Sequence, residues 1–251
     1  MERQIAAAAA LLQQSHQTVA LTGAGLSTPS GIPDFRSPRS GIWEHVDPMV
    51  VASLAAFRRH PQAFFDWVRP LTHTILTAQP NPAHLALAQL ECYGPLKAII
   101  TQNIDMLHTR AGSKIVYEVH GHLREASCIL CGFFCLAESL LAQVVKEKTI
   151  PLCPQCGGVM KPNVILFGEA LPWGVFQQAQ TAAATCDLML VAGSSLEVAP
   201  VGDLPYLAKR NRARLIIINY GETHLDSLAD VVIHGNVADV LPQLARSFLP
   251  K

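Results

Sequence analysis

"TVALTGAGLSTPSGIPDFRS", residues 18–37, opens as a strand and then breaks into glycines, small hydroxyl residues and an Asp-Phe-Arg. The short apolar run at 18–22 has the pattern of a strand covered on both faces of a parallel sheet. Gly23 and Gly25 supply the first two glycines of a dinucleotide fingerprint, but the third glycine of that pattern is missing. A long polar loop carrying Pro29 and Pro33 follows, where a fingerprint turn would run straight into a helix. Alone, such a turn serves tight structural geometry as readily as a nucleotide.

Outward from this stretch, apolar strand candidates recur at 97–105, 114–121, 187–196, 213–221 and 229–236, with an extended apolar segment at 161–169. Helical patterns lie between them. "NPAHLALAQLECYG" (81–94) opens on an Asn-Pro start signal and stops at glycine, and 172–185, 205–212 and the closing "VADVLPQLARSF" also read as helices. Strands alternating with helices predict an α/β fold: a Rossmann-like, mostly parallel, doubly wound sheet with a small module inserted. We expect residues 1–119 and 161–251 to form the large domain and 120–160 the small module. A second helical insertion, around 38–75, is expected to join the small lobe.

The chain has 251 residues, enough for one large and one small domain. Lys plus Arg and Asp plus Glu number 19 each, so no net charge steers it toward nucleic acid or anionic lipid. The N-terminal "MERQIAAAAALLQQSHQ" is too short to span a membrane and lacks a signal-like cleavage site, which suggests a first helix and a cytoplasmic location.

Four of the seven cysteines fall as "CILC" (Cys128, Cys131) and "CPQC" (Cys153, Cys156), with 21 residues between the pairs. Two such knuckles match a closed four-thiolate Zn²⁺ site, structural because no coordination position is left open. Cys135 is a spare, read as a residue of the hydrophobic side.

The expected strand ends carry small or polar residues: Gly23-Ala24-Gly25, Gln102-Asn103-Ile104-Asp105, His120-Gly121, Gly193-Ser194-Ser195, Asn219 and Gly235-Asn236. Ligands of doubly wound sheets gather beyond the C-terminal strand ends, and this set suits a dinucleotide. His120 can serve as a general base near neutral pH or be structural. Asp34 and Asp105 can orient a water or ribose or simply cap loops, and Asn219 can meet ribose hydroxyls or close a turn.

Seven stretches, in order and spanning nearly the whole chain, resemble the sirtuin family: "GAGLSTPSGIPDFR", "TQNIDMLHTRAG", "VHG", the paired cysteines, "KPNVILFGE", "GSSLEVAPVGDLP" and "INYGETHLD". The resemblance implies an NAD-dependent protein-lysine deacylase with one structural zinc, in which NAD and an acyl-lysine peptide meet between the two lobes. By motif, His120 looks like the catalytic base, and Asn103 and Asp105 resemble catalytic residues that also bind the cofactor around the nicotinamide pocket. Gly23, Ala24, Gly25, Ile32, Asp34, Phe35, Arg36 and Gln102 resemble the residues of the pyrophosphate turn, its covering loop and the nicotinamide pocket. Gly193, Ser194 and Ser195 resemble the phosphate side, and Asn219, Asn236 and Val237 the adenosine end.

The resemblance also implies that acyl-lysine peptides bind as an added strand near 166–169 and 196–200. In the helix after Pro61, the positions that carry Tyr and Arg in relatives removing acidic acyl groups are here Val68 and Leu71, so acetyl and other neutral acyl groups are expected. Lys161 stands where arginine is frequent in the family. The competing readings are an ADP-ribosyltransferase or long-chain deacylase on the same scaffold, and a non-catalytic reader of NAD or acyl-peptide. The missing third glycine and the cysteine insert argue against a dehydrogenase, and the charge balance against a nucleic-acid-binding zinc protein.

Overall fold

The structure, a computed structural model, describes residues 1–35, 41–44 and 46–249. Its strands in chain order are β1 (Thr18–Thr22), β2 (Leu96–Thr101), β3 (Val116–Glu118), β4 (Gly121–Cys128), β5 (Phe134–Leu136), β6 (Met160–Val164), β7 (Leu188–Ala192), β8 (Arg214–Asn219) and β9 (Val231–His234). Six of them form one sheet in the order β3-β2-β1-β7-β8-β9, with every pairing parallel. The other three, β5-β4-β6, make a small antiparallel sheet.

Strand periodicity explains the double winding. Ala20, Leu190, Ala192, Ile216 and Ile218 face one core with Leu12, Leu87 and Leu244, from helices Glu2–Gln14, Pro82–Tyr93 and Val237–Ala245. The alternate residues Val19, Leu21, Met189, Val191 and Ile217 face the other core with Phe176, Ala179 and Ala208, from helices Trp173–Thr185 and Leu204–Arg210. Both faces of the strands are therefore covered, as their unbroken apolar runs require. Asn81 caps its helix by accepting the Ala83 N–H at 2.8 Å, as the Asn-Pro signal predicts. The chain order reverses between β1 and β7, the switch point where doubly wound sheets open a crevice.

A third core joins two segments far apart in sequence. Phe64, Phe65, Val68, Leu71 and Ile75 of helix Pro61–Thr77 pack with Leu123, Ala126, Met160 and Val164 of the small sheet. Leu141 and Val144 of helix Glu138–Lys146 complete it. Cys135 packs against this cluster, on the hydrophobic side as expected.

Two segments differ from their sequence reading. The extended run expected over 161–169 is a strand only to Val164, and it pairs with β4 of the small sheet, so a boundary at 160 falls inside a strand. The run over 114–121 divides into β3 and β4, with His120 at the junction. Gly121 takes φ +76°, and a Cβ there would lie 2.0 Å from the Asn163 carbonyl oxygen. Only glycine fits so close an approach.

Candidate active site

A cleft of 590 Å³ lies beyond the C-terminal ends of β1, β2, β7 and β8. Of the expected site residues, Gly23, Ala24, Gly25, Ile32, Asp34, Phe35, Gln102, Asn103, Asp105, His120, Gly193, Ser194, Ser195 and Asn219 all line it. Arg36 lies outside the described residues. Asn236 and Val237 are not among the lining residues: Asn236 caps its helix by accepting the Ala238 N–H at 2.9 Å, and the Val237 side chain is buried in the core.

The glycines at the floor pack two strand-end loops together. A Cβ on Gly193 would come within 2.3 Å of the Leu26 nitrogen, and one on Gly23 within 2.9 Å of the Gly193 oxygen. The Gly25 N–H donates to that same oxygen at 2.9 Å, and the Leu26 and Ser27 N–H groups are accepted by Gly23 and Ala24. Gly23 is thus required by the backbone-to-backbone fit of the turn, and Gly25 has little room for more, a Cβ there lying 3.0 Å from the same oxygen.

Polar side chains are held in a buried network above this floor. Both amide hydrogens of Asn103 donate, one to the Gly23 carbonyl and one to the Ser27 hydroxyl, each at 3.0 Å. Ser27 in turn donates to Asp105 at 2.5 Å, and Asp105 accepts the Leu107 N–H at 2.9 Å. Burial pushes the Asp105 carboxyl above its usual range, opposed by these two hydrogen bonds. Asp105 therefore acts as a cap and an anchor for Ser27, a residue the motif reading did not single out. Ser27 is a small hydroxyl in a loop of small hydroxyls, so its type alone carried no signal.

His120 donates from Nδ1 to the Gln102 carbonyl at 3.2 Å, which makes Nε2 the basic nitrogen. The Gln102 side chain donates to Ser194 at 3.0 Å, so one residue ties the histidine to the β7 turn.

The opposite wall is aromatic and aliphatic. Phe35 stacks on Trp43 with ring centroids 5.1 Å apart, and Trp43 stacks on Trp67 at 5.3 Å. Trp43 also meets the edge of Phe167 at 6.2 Å. Phe64, Trp67, Val68, Leu71 and Ile75 line the cleft from one helix. They recur at steps of three and four, a helical stripe that a phase count over 61–77 would have found. Arg69 is turned away, donating to the Val144 carbonyl and pairing with Asp66, both at 2.9 Å.

At the end of β4, the sulfurs of Cys128, Cys131, Cys153 and Cys156 lie within 4.8 Å of one another. The Cys128–Cys156 and Cys131–Cys153 separations are 3.4 and 3.6 Å, close to the edge of a tetrahedron with about 2.3 Å Zn–S bonds. The set fits one structural zinc. Among the described residues, no helix is long and apolar enough to cross a membrane.

The Sir2 family model matches residues 23–200. An "NAD-dependent protein deacetylase 1" of Pyrobaculum aerophilum is 45% identical over 94% of this chain and 91% of its own length. An "NAD-dependent protein deacylase 2" of Archaeoglobus fulgidus is 44% identical over 98% and 96%. A solved Sir2 enzyme superposes with TM-score 0.93 at 42% identity, covering 99% of this chain and 98% of that one. A second solved chain, described as "Sir2-p53 peptide-NAD+", gives 0.87 at 39%, covering 95% of each. With the match extending from the β1 turn through the cysteine module to the segment after β7, the chain belongs to the Sir2 family.

Proposed function

We propose that the chain is an NAD-dependent protein-lysine deacylase, with acetyl and other neutral acyl groups preferred. Relatives of 40–47% identity carry deacetylase or deacylase names, which supports the reaction class. The observation that carries the reading is His120 on the cleft wall, its tautomer set by Gln102 so that Nε2 accepts a proton. A reader of NAD or peptide would have no use for a base held in this way.

The residues divide the work. Ala24, Asp34, Phe35, Asn103, Ser194, Ser195 and Asn219 would hold NAD along the strand ends. When bound, NAD supplies a ribose carbon that loses nicotinamide and is open to the acyl oxygen. Asn103, pinned by Gly23 and Ser27, keeps the nicotinamide side of the cleft in one geometry. Phe35, backed by Trp43, excludes the water that would otherwise compete for that carbon. His120 then takes a ribose hydroxyl proton at Nε2. One water is consumed in freeing the lysine amine, and the products are deacylated lysine, nicotinamide and the O-acyl-ADP-ribose.

The peptide would enter as an added strand. Phe167 spends its backbone on Ala52 and Leu54 at 2.9 and 3.0 Å, so the edge falls to Gly168 on one side and Glu197, Val198 and Ala199 on the other. Val68 and Leu71, buried and apolar, would leave a distal carboxylate desolvated and unpaired. The third core supports a small lobe made of the zinc module, β6 and the helices of 48–77. We place the enzyme in the cytoplasm, where four thiolates stay reduced and available to zinc.

The test is His120→Ala with an acetyl-lysine peptide. The variant should bind peptide as wild type does while turnover falls by about 100-fold or more, the scale of a lost general base. Turnover within a few fold of wild type would remove His120 from the mechanism.

A further inference from the structure

Lys161 is a buried cation whose three donors are all used. Its side chain is 10% exposed, and its ammonium donates to the carbonyls of Val164 at 2.7 Å and Pro162 at 3.2 Å. The third partner is the Glu169 carboxylate at 3.1 Å. A charge taken this far from water is tolerated only when fully paired, and an ammonium has three hydrogens to give. Burial lowers its affinity for a proton, and Glu169 opposes that loss in part.

The acceptors are the exit of β6 and the turn that follows. Glu169 also accepts the Leu166 N–H at 3.0 Å, and its own N–H returns to the Leu166 carbonyl at 2.9 Å, so residues 166–169 form a closed turn. The residue between them and β6, Ile165, donates to the His120 carbonyl at 2.9 Å. One ammonium therefore ties the end of β6 to the turn that presents Phe167 and Gly168 to the cleft, on either side of the Ile165 link to the His120 backbone.

We infer that Lys161 is a positioning residue for the acyl-lysine peptide: it sets the register of the 166–169 edge against His120 and does not act on the cofactor. This rests on the deacylase reading above. None of its acceptors lies on β1, β2, β7 or β8, whose ends form the rest of the cleft floor. Loss of Lys161 should weaken the peptide and spare the dinucleotide.

The experiment compares wild type, Lys161→Arg, Lys161→Met and Glu169→Gln, all zinc-loaded. Anisotropy of a labelled acetyl-lysine peptide reads binding without turnover, and KM and kcat are measured for peptide and for NAD. Lys161→Met should raise peptide Kd and KM about tenfold, the size of one lost charge-assisted hydrogen bond, with NAD KM and kcat within twofold. Lys161→Arg should return peptide binding to within about threefold of wild type, because charge and donors are kept. Glu169→Gln breaks the same pair from the other side and should weaken peptide too, which keeps the inference testable if Lys161→Met fails to fold. Unchanged peptide Kd in the soluble variants, or equal losses for peptide and NAD, would overturn it. A wild type that binds no acyl-peptide would instead overturn the deacylase reading, and the inference with it.

Discussion

The two walls of the cleft are built from different materials. On the side of the β1 and β7 turns, backbone meets backbone: an added carbon on Gly23 or Gly193 would collide, and one on Gly25 would have only tight room. On the opposite side, side chains do the shaping: Phe35, Trp43 and Trp67 are stacked, and Val68 and Leu71 line the same cleft. A wall made of backbone tolerates almost no substitution, whereas a wall of side chains changes its volume and polarity one residue at a time. Reaction class should thus be fixed on the first wall and acyl choice adjustable on the second.

Zinc removal divides the walls most severely. Structural zinc sites contribute on the order of 10 kcal/mol in small modules, and the helix bearing the acyl wall packs on this one. Chelation should abolish peptide binding and lower helical circular dichroism, while ADP-ribose binding to the large sheet persists within about tenfold. Metal analysis should find one zinc per chain. Equal loss of both ligands would mean the walls are not independent.

Gly193→Ala comes next. Its Cβ would press on Leu26 nitrogen at 2.3 Å with φ +62°, so we expect roughly 4 kcal/mol or more of destabilisation, read as a lowered Tm or insoluble protein. Gly31→Ala is the control, at φ +85° with nothing within 4 Å, and should cost only about 1 kcal/mol.

Acid should weaken the floor from beneath. His84 is buried beside His108, their rings 5.0 Å apart, and burial lowers its pKa from 6.5 to about 4. The unfolded chain binds that proton first, so the stability is fully present above pH 6.5 and is lost as pH falls toward about 4. The loss from this group is about 3 kcal/mol. In urea titrations across that window, His84→Gln should show a shallower acid limb than wild type; a parallel limb would contradict the assignment.

The smallest effect adjusts the acyl wall. Leu71→Arg should cut acetyl turnover about tenfold and raise succinyl turnover relative to it, because a buried guanidinium needs a carboxylate partner. An unchanged acetyl-to-succinyl ratio would remove Leu71 from acyl selection.

What could be read from the chain follows the same division. The strand at Thr18–Thr22, the Gly-x-Gly turn and the four cysteines depend on local backbone or ligand chemistry, so short motifs exposed them. A second reason for the glycines was not legible: beside the grip on pyrophosphate that the pattern suggests, they pack closely on Gly193, some 170 residues on. Ser27 and Trp43 gain their roles only through tertiary contacts, which no spacing encodes. Asn236 reads as a strand-end ligand group in sequence and is a helix cap in the fold. The segment after residue 160 looks like a strand of the large sheet because it is apolar, yet its partner is β4.

The most direct test of the central claim is mass spectrometry of an acetyl-lysine peptide incubated with the protein, with and without NAD. Deacetylation should occur only with NAD, with one nicotinamide and one O-acetyl-ADP-ribose formed per lysine freed. Peptide left intact while ADP-ribose accumulates on protein, or free acetate released without NAD, would contradict that claim.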